Sequence, residues 1–145
     1  MPIAIDVKGK KILLIGGGRI AWHKIESLQQ YADNIQVVAL EVSEKIKASG
    51  ILYQEKSYDP SDLEGATLVY ACTNISQLNQ QVLEDGHQLN LLVNVVDSPA
   101  HCDFVSPAIY RRNYISVAVT SNAQDVYEAI AIRNRIKEML NHDHS

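Results

Sequence analysis

The chain has 145 residues and a formal net charge of −4 at pH 7. This length suits one domain of ordinary size, and 46% hydrophobic residues are enough to form a core. The acidic balance argues against broad nucleic-acid binding, which needs a clustered basic surface. The apolar runs are far shorter than the roughly 18 residues of a membrane span, so we expect no membrane association.

The first six residues have neither the basic start nor the long apolar stretch of a signal peptide, so a cytoplasmic protein is expected. Cys72 and Cys102 lie far apart and lack the Cys-x-x-Cys spacing, which argues against a disulfide framework and a zinc site. Residues 1–140 are expected to form one domain, and residues 141–145 a flexible tail.

Short β-branched runs alternate along the chain with longer amphipathic stretches. The pattern predicts strands at residues 11–15, 35–40, 51–55, 67–71, 91–95 and 114–119. It predicts helices at residues 19–31, 43–49, 76–87 and 124–140. Such alternation is typical of an α/β fold, here a Rossmann-like, doubly wound and mostly parallel sheet with helices on both faces. Residues 100–113 show neither period and are predicted to be an ordered loop.

Three consecutive glycines connect the first predicted strand to the first predicted helix. Together with Ala21 they fit the G-x-G-x-x-G/A pattern of dinucleotide-binding loops, in the strand-to-helix context that the pattern requires. Gly16 would permit the sharp turn, Gly18 would let the backbone approach a pyrophosphate, and Ala21 would let the helix pack closely on the strand. The alternative is a flexible turn without a ligand.

The residues after the glycines support binding of a dinucleotide. The backbone amides of Arg19 and Ile20, with the helix dipole, would hold the pyrophosphate. Glu41 follows the second predicted strand, near the place where an acidic residue binds the adenosine ribose. Its negative charge would repel a 2′-phosphate, so NAD is favoured over NADP as the cofactor.

Polar residues also follow two later strands, at the edge of the sheet where α/β proteins bind their ligands. Cys72, Thr73 and Asn74 follow the fourth predicted strand and are expected to lie beside the cofactor. Asp97 follows the fifth predicted strand and could exchange a proton while a hydride moves to the nicotinamide. An Asx turn ahead of Pro99 is the alternative for Asp97.

Four basic side chains are candidates for binding an acidic substrate. Charge-assisted hydrogen bonds from basic side chains suit substrate carboxylates, and solvated surface positions are the alternative. These candidate substrate-binding residues are Lys24, His101, Arg111 and Arg112. His101 and Cys102 lie close to Asp97, but three ligands on one short loop rarely reach metal-binding geometry, so no metal is expected.

Several longer segments resemble the precorrin-2 dehydrogenase family, which includes the NAD-binding part of siroheme synthase. The segments are VKGKKILLIGGGRIAWHK (7–24), VVALE (37–41), DLEGATLVYACTN (62–74) with Asn79 behind it, LLVNVVDSP (91–99), CDFVSPAIYRR (102–112) and YISVAV (114–119). The resemblance implies NAD-dependent oxidation of precorrin-2, a tetrapyrrole, to sirohydrochlorin in siroheme biosynthesis. It also implies that Asp97 is the catalytic acid/base, and that the residues after the first and fourth strands bind the cofactor.

The chain departs from that family between its last strand and its last helix. The family usually has Ser-Thr-Gly-Gly-Lys-Ser-Pro there, whereas residues 120–126 are TSNAQDV and place the charge of Asp125 in the loop. Because a further helical segment of the family is also missing, ferrochelatase activity is not expected. A dinucleotide-binding sensor or scaffold without turnover remains the alternative function. Apolar residues of the last helix, Ile130, Ile132 and Ile136, suggest a homodimer contact or ordinary packing of the helix.

Overall fold

A computed structural model describes residues 1–142, which form two compact units. One unit comprises residues 4–104, and the other comprises residues 1–3 and the chain from residue 105. The sequence predicted one domain over residues 1–140, whereas the structure divides this range into two units. Of the predicted tail, Asn141 and His142 belong to the last helix, while residues 143–145 lie outside the described residues. Within residues 1–142 no helix combines the length and apolar character needed to cross a bilayer.

The larger unit is built on a five-stranded parallel sheet. Its strands are β1 (Lys11–Ile15), β2 (Asn34–Ala39), β3 (Leu52–Glu55), β4 (Ala66–Ala71) and β5 (Leu92–Val95), in the order β3-β2-β1-β4-β5. Its helices are α1 (Arg19–Leu28), α2 (Glu44–Ala48) and α3 (Ser76–Gln88). The strand order reverses between β1 and β4, where such folds bind ligands at the carboxyl ends of the strands. The predicted Rossmann-like α/β fold is confirmed.

Apolar residues cover both faces of this sheet. Ile12 and Leu14 of β1 belong to the core cluster that includes Ile25 of α1, whereas Leu13 and Ile15 point to the opposite face and to α3. Side chains alternate between the faces of a strand, so a strand covered on both sides is apolar throughout. Burying each of these side chains contributes about 1.5–3 kcal/mol, and together they fix the strand that precedes the glycines.

The free edge of β5 is covered by the segment that follows it. Asp103 pairs twice with Val93, because its backbone N–H donates to the Val93 carbonyl at 2.9 Å and its Oδ2 accepts from the Val93 N–H at 2.9 Å. The Cys102 thiol lies 3.1 Å from both the N–H and the carbonyl oxygen of Val95. Side chains thus satisfy backbone groups that an edge strand leaves unpaired. A 3₁₀ turn at Pro99–His101 precedes this segment.

The smaller unit contains an antiparallel hairpin and one long helix. Strand β6 (Ala108–Arg112) pairs with β7 (Ile115–Val119), and α4 (Val126–His142) follows. The prediction of a loop over residues 100–113 is wrong for β6, and β7 lies outside the parallel sheet. The AIYRR sequence of β6 has no clear alternation, and its strand conformation depends on pairing with β7.

Arginine side chains join α4 to β6. Arg112 donates from Nη1 to the carbonyl of Leu140 at 3.1 Å, and Arg133 donates from Nη1 to the carbonyl of Ile109 at 3.1 Å. The Arg112 bond satisfies one of the carbonyls that the last turn of a helix leaves without a partner. Arg112 therefore has a structural contact within its own unit.

The loop before α4 caps the first turn of the helix. Asp125 accepts at Oδ1 from the N–H of Glu128 at 3.0 Å, as an N-cap residue does. Asn122 and Ala123 have φ values of +55° and +65°. The loop thus contains two consecutive left-handed residues without glycine, and Asp125 caps the helix.

Replacing Ala123 by glycine is expected to stabilise the protein by about 0.5–1 kcal/mol. Alanine is strained at positive φ, and glycine is not, although glycine loses more conformational entropy on folding. Chemical unfolding monitored by circular dichroism measures the change. Ala131→Gly is the matched control, because Ala131 lies inside α4 on its exposed face, where glycine should destabilise by about 1 kcal/mol. A stabilised Ala131→Gly or a destabilised Ala123→Gly would contradict the argument.

Candidate functional site

Gly16 brings β1 and the end of β4 together. Its φ is +133°, and a Cβ placed there would lie 2.5 Å from the carbonyl oxygen of Cys72. The Gly16 N–H donates to the carbonyl of Val38 at 2.9 Å, and the Cys72 N–H donates to the carbonyl of Ile15 at 2.9 Å. Only glycine fits this backbone conformation and this close approach. The first predicted glycine of the motif thus shapes the turn, as expected.

Gly17 contacts the loop that follows β2. A Cβ on Gly17 would lie 2.5 Å from the carbonyl oxygen of Glu41. The carbonyl of Gly17 accepts from the N–H of Ser43 at 2.8 Å. No role was predicted for Gly17, although the unbroken run of three glycines indicates that its position also needs a glycine. The structure gives it a packing role between the two loops.

The start of α1 is open to a ligand. Gly18, Arg19 and Ile20 are exposed, and nothing lies within 4 Å of the position that a Gly18 Cβ would occupy. No side chain caps α1 and its first turn contains no acidic residue, so the first amides and the helix dipole remain available for an anion. Ala21 is fully buried, as close packing of the helix requires. The residues present fit a pyrophosphate.

Two glutamates lie near the loop after β2. Glu41 is exposed and follows the end of β2 by two residues. Glu55 ends β3, and its Oε2 accepts from the N–H of Val42 at 3.1 Å. Glu41 was predicted from the sequence and Glu55 was not, because nothing in the local sequence shows that β3 lies beside this loop.

Asn79 joins α3 to the loop that follows β4. Its side chain is fully buried, and its Oδ1 accepts from the N–H of Thr73 at 3.1 Å and from the Thr73 hydroxyl at 2.7 Å. Its Nδ2 donates to the carbonyl of Thr73 at 3.0 Å. The predicted cofactor residue Thr73 is therefore fixed by a side chain from the next helix, while Asn74 stays exposed.

Asp97 follows β5 and points toward the start of α3. Its Oδ2 accepts from the hydroxyl of Ser76 at 3.0 Å, and its Oδ1 accepts from Nδ2 of Asn79 at 3.4 Å. The carboxylate remains exposed. The two donors orient the group and leave it accessible to a ligand. Asn79 thus connects the loops after β4 and β5, the two segments that the sequence analysis placed at one edge.

Replacing Asn79 by alanine is expected to lower the free energy of unfolding by about 2–4 kcal/mol. The change removes the Asn79 partners of the part-buried N–H and carbonyl of Thr73 and leaves a small cavity at the fully buried position 79. Chemical unfolding measures the loss. Gln80→Ala is the matched control, since Gln80 is the exposed neighbour on α3 and its loss should cost less than about 0.5 kcal/mol. Equal stability of the two variants would show that the Asn79 bonds do not support the loops.

Lys24 lies on the side of α1 that faces the sheet. Its Nζ is 5.8 Å from the centre of the Tyr70 ring, and the side chain is half-buried. Burial lowers the pKa of the Lys24 ammonium, and the nearby thiols of Cys72 and Cys102 act in the opposite direction. Burial raises the pKa of Cys72 to about 12, so that thiol is neutral. No carboxylate among residues 1–142 forms an ion pair with Lys24.

The other predicted substrate residues lie in different places. His101 follows Asp97 in the same loop, where its Nδ1 lies 2.5 Å from the hydroxyl of Ser98. Arg111 belongs to the smaller unit, and its Nε donates to the carbonyl of Asn113 at 3.1 Å. Arg112 donates a hydrogen bond to the carbonyl of Leu140 on α4, as described above. Within residues 1–142, no cluster of three histidine, cysteine or acidic side chains forms a metal site.

Asn94 is a buried polar residue that the sequence analysis did not select. It lies on β5 beside Tyr70 of β4, and its Nδ2 donates to the carbonyl of Phe104 at 2.9 Å. The Phe104 ring packs edge-on against Tyr70, with ring centres 5.4 Å apart. The signal for Asn94 was a single amide within the apolar run LLVNVV. It fixes the segment that covers the edge of β5.

The open start of α1 agrees with comparisons to known families. A family model described as "Putative NAD(P)-binding" matches residues 3–108. The chain belongs to this NAD(P)-binding family. The family description confirms the predicted class of cofactor, a nicotinamide dinucleotide. The matched range contains the glycine loop, the loops after β2, β4 and β5, and Asp97.

Curated relatives of this chain include siroheme synthases. The chain is 36% identical over 146 residues to siroheme synthase of Vesicomyosocius okutanii subsp. Calyptogena okutanii, covering 98% of this chain and 31% of that protein. It is 34% identical over 144 residues to siroheme synthase 1 of Pectobacterium atrosepticum, covering 97% of this chain and 30% of that protein. The chain therefore spans about a third of the length of these relatives.

A solved structure has the same fold. SirC, a precorrin-2 dehydrogenase, superposes with a TM-score of 0.76 and 27% sequence identity, and the match covers 100% of this chain and 71% of SirC. The resemblance predicted from the sequence segments is confirmed by this match and by the siroheme synthases.

Proposed function

We propose that this protein is an NAD-dependent dehydrogenase that oxidises precorrin-2 to sirohydrochlorin in siroheme biosynthesis. The observation that carries the proposal is that the open start of α1 and the oriented Asp97 carboxylate lie at the same edge of one parallel sheet. A dinucleotide and an oxidisable substrate need these two features side by side. The similarity to siroheme synthases and to SirC supports this substrate.

The cofactor-binding residues follow from the geometry of the loops. The backbone amides of Gly18, Arg19 and Ile20 bind the pyrophosphate, and Gly16 and Ala21 keep strand and helix close together. Glu41 binds the adenosine ribose and favours NAD over NADP. The remaining cofactor contacts come from the segment after β4, namely Cys72, Thr73 and Asn74. Because the Cys72 thiol is buried, Cys72 contacts the cofactor through its backbone.

Asp97 handles the proton of the reaction. Oxidation of precorrin-2 removes two electrons and two hydrogens, one as a hydride and one as a proton. NAD, when bound, accepts the hydride. A carboxylate oxygen of Asp97 accepts the proton, while Ser76 and Asn79 hold the group in place by their hydrogen bonds. No residue of the chain forms a covalent bond with the substrate in this scheme.

Basic side chains bind the carboxylates of the tetrapyrrole. Lys24 is half-buried and not paired with an acidic residue among residues 1–142, so its ammonium is available to a substrate carboxylate. His101 lies four residues after Asp97 in the same loop. Arg111 and Arg112 belong to the smaller unit and stay predicted substrate-binding residues, and Arg112 donates to the carbonyl of Leu140 within that unit.

The experiment is an anaerobic turnover assay with purified protein, precorrin-2 and NAD. We expect NADH and sirohydrochlorin to form in equal amounts. Binding of NAD without turnover would support the alternative, a sensor or scaffold without catalytic activity. Turnover of a different polyanion in place of precorrin-2 would keep the dehydrogenase and replace the substrate. The cytoplasmic location and the homodimer stay predictions.

A further inference from the structure

Glu55 lies beside the loop that binds the adenosine end of a dinucleotide in this fold class. It is the last residue of β3, and its Cα partner across the parallel pair is Ala39, the last residue of β2. The N–H of Lys56 donates to the carbonyl of Ala39 at 2.9 Å, which closes this end of the pair. The carboxylate is therefore at the ligand-binding edge of the sheet, although β3 is an outer strand.

The Glu55 carboxylate makes two different contacts. Its Oε2 accepts from the backbone N–H of Val42 at 3.1 Å, and its Oε1 lies 3.3 Å from Nζ of Lys47 on α2. The next residue of the loop, Ser43, donates its N–H to the carbonyl of Gly17 at 2.8 Å. Glu55 thus fixes the loop after β2, and that loop in turn contacts the glycine loop.

The Glu55 carboxylate neutralises the charge of Lys47. The hydrogen bond from Val42 and that from Lys47 lower the pKa of Glu55, and the bond to Glu55 raises the pKa of Lys47. Both groups are therefore charged at neutral pH and form an ion pair. Glu44 is a second and more distant partner, with its Oε1 3.8 Å from the lysine Nζ and its side chain 92% exposed.

We propose that Glu55 is a specificity-determining residue for the cofactor: it fixes the loop that binds the adenosine ribose and withholds the Lys47 charge from a 2′-phosphate. The inference rests on the proposed dinucleotide binding and adds a second residue, besides Glu41, that contributes to the choice between NAD and NADP. An unpaired lysine at this edge would attract the additional phosphate of NADP, because phosphate oxygens accept strong hydrogen bonds from ammonium groups. A paired lysine cannot do so without breaking its bond to Glu55.

The test is titration calorimetry of NAD and NADP with the full chain and three variants. In Glu55→Gln the amide oxygen can still accept from Val42, but the ion pair is lost. We expect the affinity for NADP relative to NAD to rise by about fivefold to tenfold. Glu44→Gln is the matched control, since it removes the same charge from the exposed partner of Lys47 and should change the ratio less than about twofold. The double variant Glu55→Gln with Lys47→Ala should return the ratio to that of the parent protein.

The ratio of the two affinities separates specificity from folding, because damage to the loop alone would weaken both ligands together. An unchanged ratio in Glu55→Gln, with NAD bound by the parent protein, overturns the inference and leaves the proposed function standing. An increase that persists in the double variant also overturns it, since Lys47 would not be the cause. A parent protein that binds neither nucleotide refutes the proposed function, and the inference with it.

Discussion

Replacing Gly16 by alanine is expected to lower the free energy of unfolding by roughly 3–5 kcal/mol, which is enough to unfold many domains of this size. The new Cβ would lie 2.5 Å from the carbonyl oxygen of Cys72, and the backbone has φ +133°. Relief of this clash requires β1 and β4 to separate at the centre of the sheet. Chemical unfolding of purified protein, or its recovery in the soluble fraction, measures the effect.

Gly18→Ala is the control for this change within the same loop. Gly18 has φ −97°, and a Cβ there meets nothing within 4 Å, so stability should fall by less than about 1 kcal/mol. Because the methyl group would occupy the space through which a pyrophosphate approaches, we expect NAD affinity to fall at least about tenfold. Normal NAD affinity in Gly18→Ala would show that the phosphate does not bind there, and normal stability in Gly16→Ala would contradict the packing described for β1 and β4.

Replacing Asp97 by asparagine is expected to lower turnover of precorrin-2 by about 10²–10⁴-fold, the range associated with loss of a general acid or base. Asparagine can still accept a hydrogen bond from Ser76 but cannot accept the proton at the reaction step. NAD affinity should stay within about twofold of the parent protein, because Asp97 is not among the residues assigned to the pyrophosphate or the ribose. Steady-state kinetics and calorimetry together measure both quantities.

Glu84→Gln provides the control for charge in this assay. Glu84 is exposed on α3 and belongs to none of the proposed sites, so its loss should leave turnover unchanged. Full activity of Asp97→Asn would assign the proton transfer to another group. Equal losses in both variants would instead indicate a general dependence on the negative charge around α3.

The parallel sheet could be predicted because its determinants are local. Residues 12–15 of β1, ILLI, are apolar at every position, and a strand of this kind must be covered on both faces. The helices between the strands then follow from the need for long crossover connections. The predicted helix at residues 19–31 ends earlier, at Leu28, with Gln29 as its C-cap.

The hairpin in the smaller unit could not be predicted in the same way. Strand β6 carries two arginines next to its apolar residues, so its sequence shows no period of two. Its conformation depends on hydrogen bonds to β7 and on arginine contacts with α4, which are interactions between segments. Ala123 is a further case, because alanine gives no indication of the left-handed backbone that this loop adopts.

In the candidate site, the residues found from the sequence are those with a fixed place in a motif or at the end of a strand. Gly16, Gly18 and Ala21 have the geometry that the glycine pattern predicts, and Asp97 lies where a strand-end carboxylate was expected. Asn79 and Glu55 form hydrogen bonds with loops of other elements, at separations of 6 to 18 residues along the chain. Asn79 was noted only through the family resemblance, and Glu55 was not selected at all.

The sequence by itself determined the order of strands and helices in the larger unit, the glycine loop and the class of cofactor, because each depends on backbone preferences and spacing within a short segment. Tertiary structure alone decided which side chains orient Asp97 and Thr73, which carboxylate neutralises Lys47, and that residues after 104 form a separate unit. The physical reason is that hydrogen bonds and ion pairs depend on distances of about 3 Å between atoms, and only the folded chain sets those distances.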